Sequence, residues 1–239
     1  MSGSDCCRHG RHSPRRVATI ARSRYIRPPM PTSAAKPWLF DLWSYFYDEA
    51  LVQRLVYRPV HDAVLQELGH PAPRSVLDLG CGTGLLATRV RRELGVPRVA
   101  GADFSAGMLA QAATGRSDID WVRATAVELP FSDSSFDAIV SCESFHWFPD
   151  QEAALHECFR VLTPGGRLLV AFVNPPMEVV GDIAYAASWV AGQPFRWPTP
   201  SRMRELLEQS GFAVESQRRI FRLGGVLLLP PVLSVARRI

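Results

Sequence analysis

The sequence predicts an α/β fold: a doubly wound sheet, mostly parallel with an antiparallel last strand, carrying helices on both faces. Two observations predict it. Between residues 75 and 173, five short apolar runs of strand length alternate with helical stretches, the pattern of a parallel sheet covered on both sides. The first run, Ser75-Val76-Leu77-Asp78-Leu79, leads straight into a glycine-rich turn that opens a helix, and right-handed crossovers make such a sheet doubly wound.

The elements follow in order. Residues 38–52 carry Trp38, Phe40, Trp43, Tyr45, Phe46 and Tyr47 and read as one or two amphipathic helices. Pro59 suits the first turn of a helix running to Leu68, and Gly69, Pro71 and Pro73 punctuate its end. After the first strand comes a helix over 84–94, then a strand over 99–102 that ends at Asp103. Ser105 is placed as the N-cap of a helix through Met108 and Leu109. Strands are expected at 119–124, 136–141 and 167–173, with a helix at 152–161 closed by Thr163-Pro164-Gly165-Gly166. Beyond Asn174 the pattern is less regular, with helices at 177–191 and 199–210. Gly211 is a good residue to follow the second of these, and strands close the chain at 213–221 and 232–238.

Composition narrows the function classes. The chain has 239 residues, 47% hydrophobic and 21% charged, ordinary for a globular protein of one large domain. Its longest uncharged stretch, Leu223 to Ala236, is 14 residues and contains Pro230 and Pro231, short of the about 20 apolar residues a membrane helix needs. Five cysteines in this length make no disulfide framework, which points to a reduced, cytoplasmic protein.

The net charge of +4 is unevenly spread. Residues 1–35 hold seven arginines against Asp5, a net of +6, which leaves the remainder at −2. The body therefore lacks the basic stripe of a nucleic-acid binder. Lys36 is the only lysine; the arginine bias reads as coding bias, because outside the tail the arginines do not cluster. Residues 1–35, rich in Arg, Ser and Pro, read as a disordered tail, as a targeting segment, or as an over-extended start ahead of Met30. Cys6, Cys7, His9 and His12 lack zinc-finger spacing, and no metal site is expected. The domain layout is then the 1–35 tail, a 36–70 helical lid, and a 71–239 domain whose 174–200 segment caps the acceptor side.

The sharpest motif is Asp78-Leu79-Gly80-Cys81-Gly82-Thr83-Gly84. Glycines let the main chain turn sharply and let a ligand approach it, and doubly wound sheets bind ligands beyond the strand ends at the switch point. A dinucleotide fingerprint, G-x-G-x-x-G, would require a third glycine where Leu85 stands. The observed D-x-G-x-G-x-G places an acid beside the loop, which disfavours pyrophosphate and favours a ligand bearing an ammonium group. S-adenosylmethionine has an amino-acid end and no phosphate. Asp103 lies 25 residues after Asp78, where a carboxylate can accept both ribose hydroxyls; that acid fits NAD equally.

With these motifs the chain resembles the class I S-adenosylmethionine-dependent methyltransferases, which have a Rossmann-like fold. It is similar in particular to the small-molecule branch that includes ubiquinone/menaquinone-biosynthesis C-methyltransferases. The resemblance spans about residues 76–172. It rests on the glycine motif, on Gly101-Ala102-Asp103-Phe104-Ser105 with Met108-Leu109, on Glu128-Leu129-Pro130-Phe131, on Ser135-Phe136-Asp137, and on Leu162-Thr163-Pro164-Gly165-Gly166. It implies that Gly80, Gly82 and Gly84 pack under the methionine moiety with Asp78 near its amino group. It implies that Asp103 holds the ribose, that Phe104 covers an adenine face, and that Met108 and Ser141 also line the cofactor. Relatives often carry Gly-Asp-Ala before Leu-Pro-Phe; here Ala124-Thr125-Ala126 stands there, so Thr125 or the backbone of Ala126 replaces the Asp.

On the acceptor side, good orientation alone supplies about 7–11 kcal/mol of such a barrier, so a general base is needed only if the acceptor must lose a proton. His146, in Glu143-Ser144-Phe145-His146-Trp147 after the fourth strand, is the candidate base, the alternative being a structural histidine among aromatic residues. Tyr47 is a second candidate, in the segment that the resemblance folds over the cofactor. Tyr185, Trp189, Phe195 and Trp197 in the cap suit an apolar or aromatic small-molecule acceptor, or simply pack on the sheet. The competing functions are an NAD-dependent oxidoreductase, a non-catalytic methyltransferase-like binding protein, and a nucleic-acid methyltransferase. The last usually shows an Asn/Asp-Pro-Pro-aromatic motif after the fourth strand, where this chain reads Ser141-Cys142-Glu143-Ser144.

Overall fold

The computed structural model describes residues 57–239 apart from 115, 117, 176, 191–194 and 221–230. The 1–35 tail, the 36–56 part of the expected lid and Tyr47 lie outside the described residues.

The described chain begins with α1 (Arg58–Leu68) and continues through β1 (Ser75–Leu79), α2 (Leu85–Glu93), β2 (Arg98–Asp103), α3 (Ala106–Ala112) and β3 (Asp120–Arg123). Next come β4 (Phe136–Cys142), a 3₁₀ turn (Phe145–Trp147), α4 (Gln151–Val161) and β5 (Leu162–Val173). It closes with α5 (Glu178–Val190), α6 (Pro200–Gln209), β6 (Phe212–Arg219) and β7 (Pro231–Arg238). The seven strands lie in the order β3-β2-β1-β4-β5-β7-β6. All neighbours are parallel except β7, which runs antiparallel between β5 and β6. The antiparallel last strand thus sits inside the sheet rather than at its edge. β5 begins five residues before the expected 167, because Leu162 already pairs with Phe136 ahead of a register shift.

Alternation along each strand sends side chains to two cores. Leu77 and Leu79 join α4 and α6 on one face, while Val76 joins α1 and α2 on the other. A fully buried Leu or Phe contributes about 1.5–3 kcal/mol, and Leu77, Phe136, Phe145, Phe172 and Phe212 are all at this limit. The 58–68 portion of the expected lid is α1, a layer helix with Val60, Val64 and Leu68 fully buried.

Local chemistry sets the helix ends. Ser105 caps α3, its hydroxyl accepting from Met108 N–H at 3.1 Å. Asp150 caps α4 through Ala153 N–H at 2.9 Å. Thr199 caps α6 ahead of Pro200, and Gly211 follows that helix at φ 90°. The carboxyl end of α1 is held from a distance: the buried Arg167 of β5 donates to the carbonyls of Glu67, Leu68 and Pro71 at 3.1, 3.3 and 3.0 Å. A guanidinium there satisfies carbonyls that have no partner within the helix.

Strand order reverses between β1 and β4. Crossovers from these neighbours leave on opposite sides, and a crevice opens beyond their carboxyl ends.

Candidate cofactor and acceptor site

The glycine turn sits at that crevice. Gly80 and Cys81 N–H both donate to Ala102 O, at 2.8 and 3.1 Å, and Gly84 N–H donates to Cys81 O at 2.9 Å. These bonds draw the turn against the end of β2. Gly80, Gly82 and Gly84 adopt φ of 73°, 54° and 75°, a region that costs other residues roughly 1–2 kcal/mol.

Their surroundings differ. A Cβ on Gly80 would meet Ser144, and one on Gly84 would meet the Trp121 ring at 2.3 Å. A Cβ on Gly82 would find only Met108 Sδ, at 3.9 Å. Gly80 and Gly84 are therefore required by the protein's own packing, and Gly82 is the position whose main chain is left open to a ligand.

Asp103 is buried at the end of β2. One carboxylate oxygen accepts from Gly82 N–H at 2.9 Å and the other from Ser105 N–H at 2.9 Å, so the acid is oriented by the glycine turn and the start of α3 together. Asp78 is buried beneath the same turn and accepts from Ala87 N–H at 3.0 Å. Burial raises its pKa to about 7; the Ala87 hydrogen bond opposes the rise and the Asp103 charge adds to it. An acid in this state has much to gain from a cationic neighbour. Open main chain at Gly82, an oriented acid at the β2 end and a buried acid below fit S-adenosylmethionine, which brings an ammonium and a ribose.

The remaining expected cofactor residues surround this cradle. Ala124 N–H donates to Asp103 O at 3.0 Å, which brings the Thr125-Ala126 turn beside the acid. Thr125 bridges to Glu128, and Ala126 is buried. Met108 is buried, and the Phe104 carbonyl accepts from Arg123 Nε at 3.1 Å. Ser141, buried at the end of β4, shares a 2.8 Å hydrogen bond with Ser144, whose hydroxyl lies 3.1 Å from Leu79 O. Ser144 thereby ties the β4 loop to the glycine turn. Between the two serines, Glu143 takes φ 52°, a conformation uncommon outside glycine and concentrated at functional sites.

His146 lies in the 3₁₀ turn after β4, but not at an open mouth. It is 7% exposed and packs against Trp147, Phe172, Phe195 and Trp197 at centroid distances of 5.2, 6.1, 6.3 and 5.8 Å. Burial pushes its pKa down to about 3, so the imidazole is neutral at any ordinary pH. In the cap, Arg196 N–H donates to His146 O at 2.9 Å, and Asn174 Nδ2 donates to Pro198 O at 2.7 Å. These bonds hold residues 195–198 against the loop after β4 and the end of β5, with Phe195 and Trp197 beside the histidine. Trp121, Ser144 and Asn174 carried no readable signal: each acts through contacts with residues remote in sequence.

A neighbouring cleft of about 650 Å³ is lined by Asp150, Glu152, Glu178, Asp182, Arg196 and Arg202 among others. Tyr185 and Trp197 also line it, so the cleft and the aromatic cluster share Trp197. Among the described residues, no helix is long and apolar enough to cross a membrane.

Comparison with known proteins agrees with this geometry. Residues 77–170 match the methyltransferase domain family. A demethylmenaquinone methyltransferase of Thermus thermophilus is 32% identical over 65% of this chain and 81% of its own length. A 2-phytyl-1,4-naphtoquinone methyltransferase of Thermosynechococcus vestitus is 33% identical over 66% and 80%. In fold, the chain superposes on an S-adenosylmethionine-dependent methyltransferase of Mesorhizobium loti with a TM-score of 0.60, covering 74% of this chain and 100% of the other at 22% identity. The glycine turn, the oriented acid and the relatives agree: the chain belongs to the S-adenosylmethionine-dependent methyltransferases.

Proposed function

We propose that this methyltransferase acts on a small, flat, apolar or aromatic acceptor bound between the β4 loop and the cap. The observation that carries the reading is the aromatic wall formed by Trp147, Phe172, Phe195 and Trp197 around His146, beside the loop that Ser144 ties to the glycine turn. Such walls suit a flat ligand. The quinone substrates named for the two relatives point the same way.

When bound, S-adenosylmethionine supplies a sulfonium-activated methyl group for in-line displacement. In this reading Asp78 faces the ammonium end and Gly82 offers its main chain. Asp103 accepts from the ribose hydroxyls, and Phe104, Met108, Thr125, Ala126 and Ser141 line the nucleoside. Gly80 and Gly84 keep the turn in shape. The chain's main contribution is orientation, worth about 7–11 kcal/mol when the reacting atoms are well placed. His146, neutral and buried, positions the acceptor by hydrogen bonding rather than taking up a proton in bulk fashion.

The test is incubation with methyl-tritiated S-adenosylmethionine and a panel of hydroxynaphthalenes, small amines, peptides and nucleic acid. Label in the hydroxynaphthalene fraction is expected. Label only in peptide, amine or nucleic acid, with S-adenosylhomocysteine bound normally, would overturn the small aromatic acceptor and keep the enzyme class.

A further inference from the structure

Three buried side-chain atoms around the aromatic wall have no hydrogen-bond partner among the described residues: His146 Nδ1, Trp197 Nε1 and Asn174 Oδ1. His146 and Asn174 are 7% and 6% exposed. The three belong to one place. The His146 and Trp197 rings lie 5.8 Å apart, and Asn174 bonds to the carbonyl of Pro198, the residue after Trp197. Native proteins seldom leave a buried polar atom unpaired, because its lost hydration is not returned. Three at one site, beside the loop tied to the cofactor turn, indicate groups kept for a ligand.

Their chemistry is specific. An indole N–H only donates. Asn174 turns its amide N–H₂ to Pro198 O, which leaves its oxygen as the acceptor. His146 Nδ1 is one nitrogen of a neutral imidazole and donates or accepts according to tautomer. The nearest cationic side chain in the cap, Arg196, stacks its guanidinium on the Tyr185 ring at 4.5 Å and is exposed. A hydroxyl both donates and accepts, so it matches a site that offers both a donor and an acceptor. A carboxylate would face Asn174 Oδ1 and an ammonium would face Trp197 N–H, each with like polarity.

We infer that His146, Trp197 and Asn174 form a polar subsite at the aromatic cluster that selects acceptors carrying a neutral hydroxyl on a flat ring and discriminates against charged ones. This rests on the proposed small aromatic acceptor and assigns the residues that read its substituent.

The experiment is titration of the full chain, saturated with S-adenosylhomocysteine, with 2-naphthol, 2-methylnaphthalene and 2-naphthoate. 2-Naphthol is expected to bind at least about tenfold tighter than the other two, since unpaired partners penalise the ligand lacking the hydroxyl. Trp197→Phe keeps a ring and removes the N–H; it should weaken 2-naphthol by about tenfold and leave 2-methylnaphthalene within about twofold. Asn174→Leu should do the same. If that variant loses S-adenosylhomocysteine binding through misfolding, Trp197→Phe decides alone. Equal binding of 2-naphthol and 2-methylnaphthalene by the wild type, or an unchanged preference in Trp197→Phe, overturns the subsite and leaves the aromatic acceptor standing. Binding of neither naphthalene, with S-adenosylhomocysteine bound, overturns both.

Discussion

A methyl group placed on Gly80 would stand 2.5 Å from both Cβ and Oγ of Ser144. The loop after β4 is pressed against the glycine turn at that point, and the turn cannot open without moving the loop. Gly80→Ala is therefore expected to destabilise the fold by more than about 2 kcal/mol, adding steric overlap to the penalty of positive φ. Gly82→Ala meets only Met108 Sδ at 3.9 Å and should cost the fold about 1–2 kcal/mol. Its larger effect should be on S-adenosylhomocysteine affinity, because the methyl would fill the open side. Thermal unfolding and calorimetric titration separate the two; equal stability losses with unchanged affinity in Gly82→Ala would refute this division of labour.

Asp103 is expected to matter through its charge and its two backbone partners together. Asp103→Ala leaves Gly82 N–H and Ser105 N–H without their acceptor. Hydrogen bonds to charged groups contribute about 1.5–3 kcal/mol, so S-adenosylhomocysteine affinity should fall by about ten- to a hundredfold or more. Calorimetry on a variant that still unfolds cooperatively checks this.

Asp78 should make the free protein less stable as pH rises. Its folded pKa is about 7, raised from 3.8 chiefly by burial. Between those values the unfolded chain gives up its proton while the folded chain keeps it, so stability falls as pH rises and the full cost is present above pH 7. Asp78→Asn, which keeps an acceptor for Ala87 N–H, should gain stability relative to wild type progressively from pH 4 to pH 7. Paired melting curves across that range give the answer; a constant difference would show that the carboxyl ionises normally.

His146 should leave no limb near pH 6.5 in the rate profile, because burial holds its pKa near 3. The stability sign is opposite to that of Asp78. As pH falls below 6.5 the unfolded chain takes up a proton that the folded chain refuses, and stability is lost down to about pH 3. His61, lowered to about 4 by burial and the Arg89 charge, acts in the same direction. His146→Phe should gain on wild type as pH is lowered from 7 to 4. A rate limb near 6.5 that disappears in this variant would instead identify a working base.

Arg167→Met should be among the most damaging substitutions outside the site. It would leave the carbonyls of Glu67, Leu68 and Pro71 at the carboxyl end of α1 without their donor. A loss of about 2–4 kcal/mol is expected, with S-adenosylhomocysteine affinity little changed once the protein is folded. Denaturant unfolding measures the first and calorimetry the second.

Much of this molecule was determined by the sequence on its own, because the determining interactions are short in range. Apolar runs placed β1, β2 and β4; Ser105 and Thr199 are caps that act within three residues; and the Asp78–Gly84 turn pointed to the cofactor while Asp103 marked a nucleoside. Tertiary structure decided what depends on residues far apart in the chain. It gave Gly80 and Gly84 internal partners in Ser144 and Trp121, leaving Gly82 open. It placed β7 between β5 and β6 and brought Arg167 to carbonyls about a hundred residues away. It also set His146, offered by the sequence as a candidate base or a structural histidine, among buried aromatic rings as a neutral imidazole. The type of a residue states which proton it can hold, but burial sets the pH at which it holds it, and burial is a property of everything packed around it.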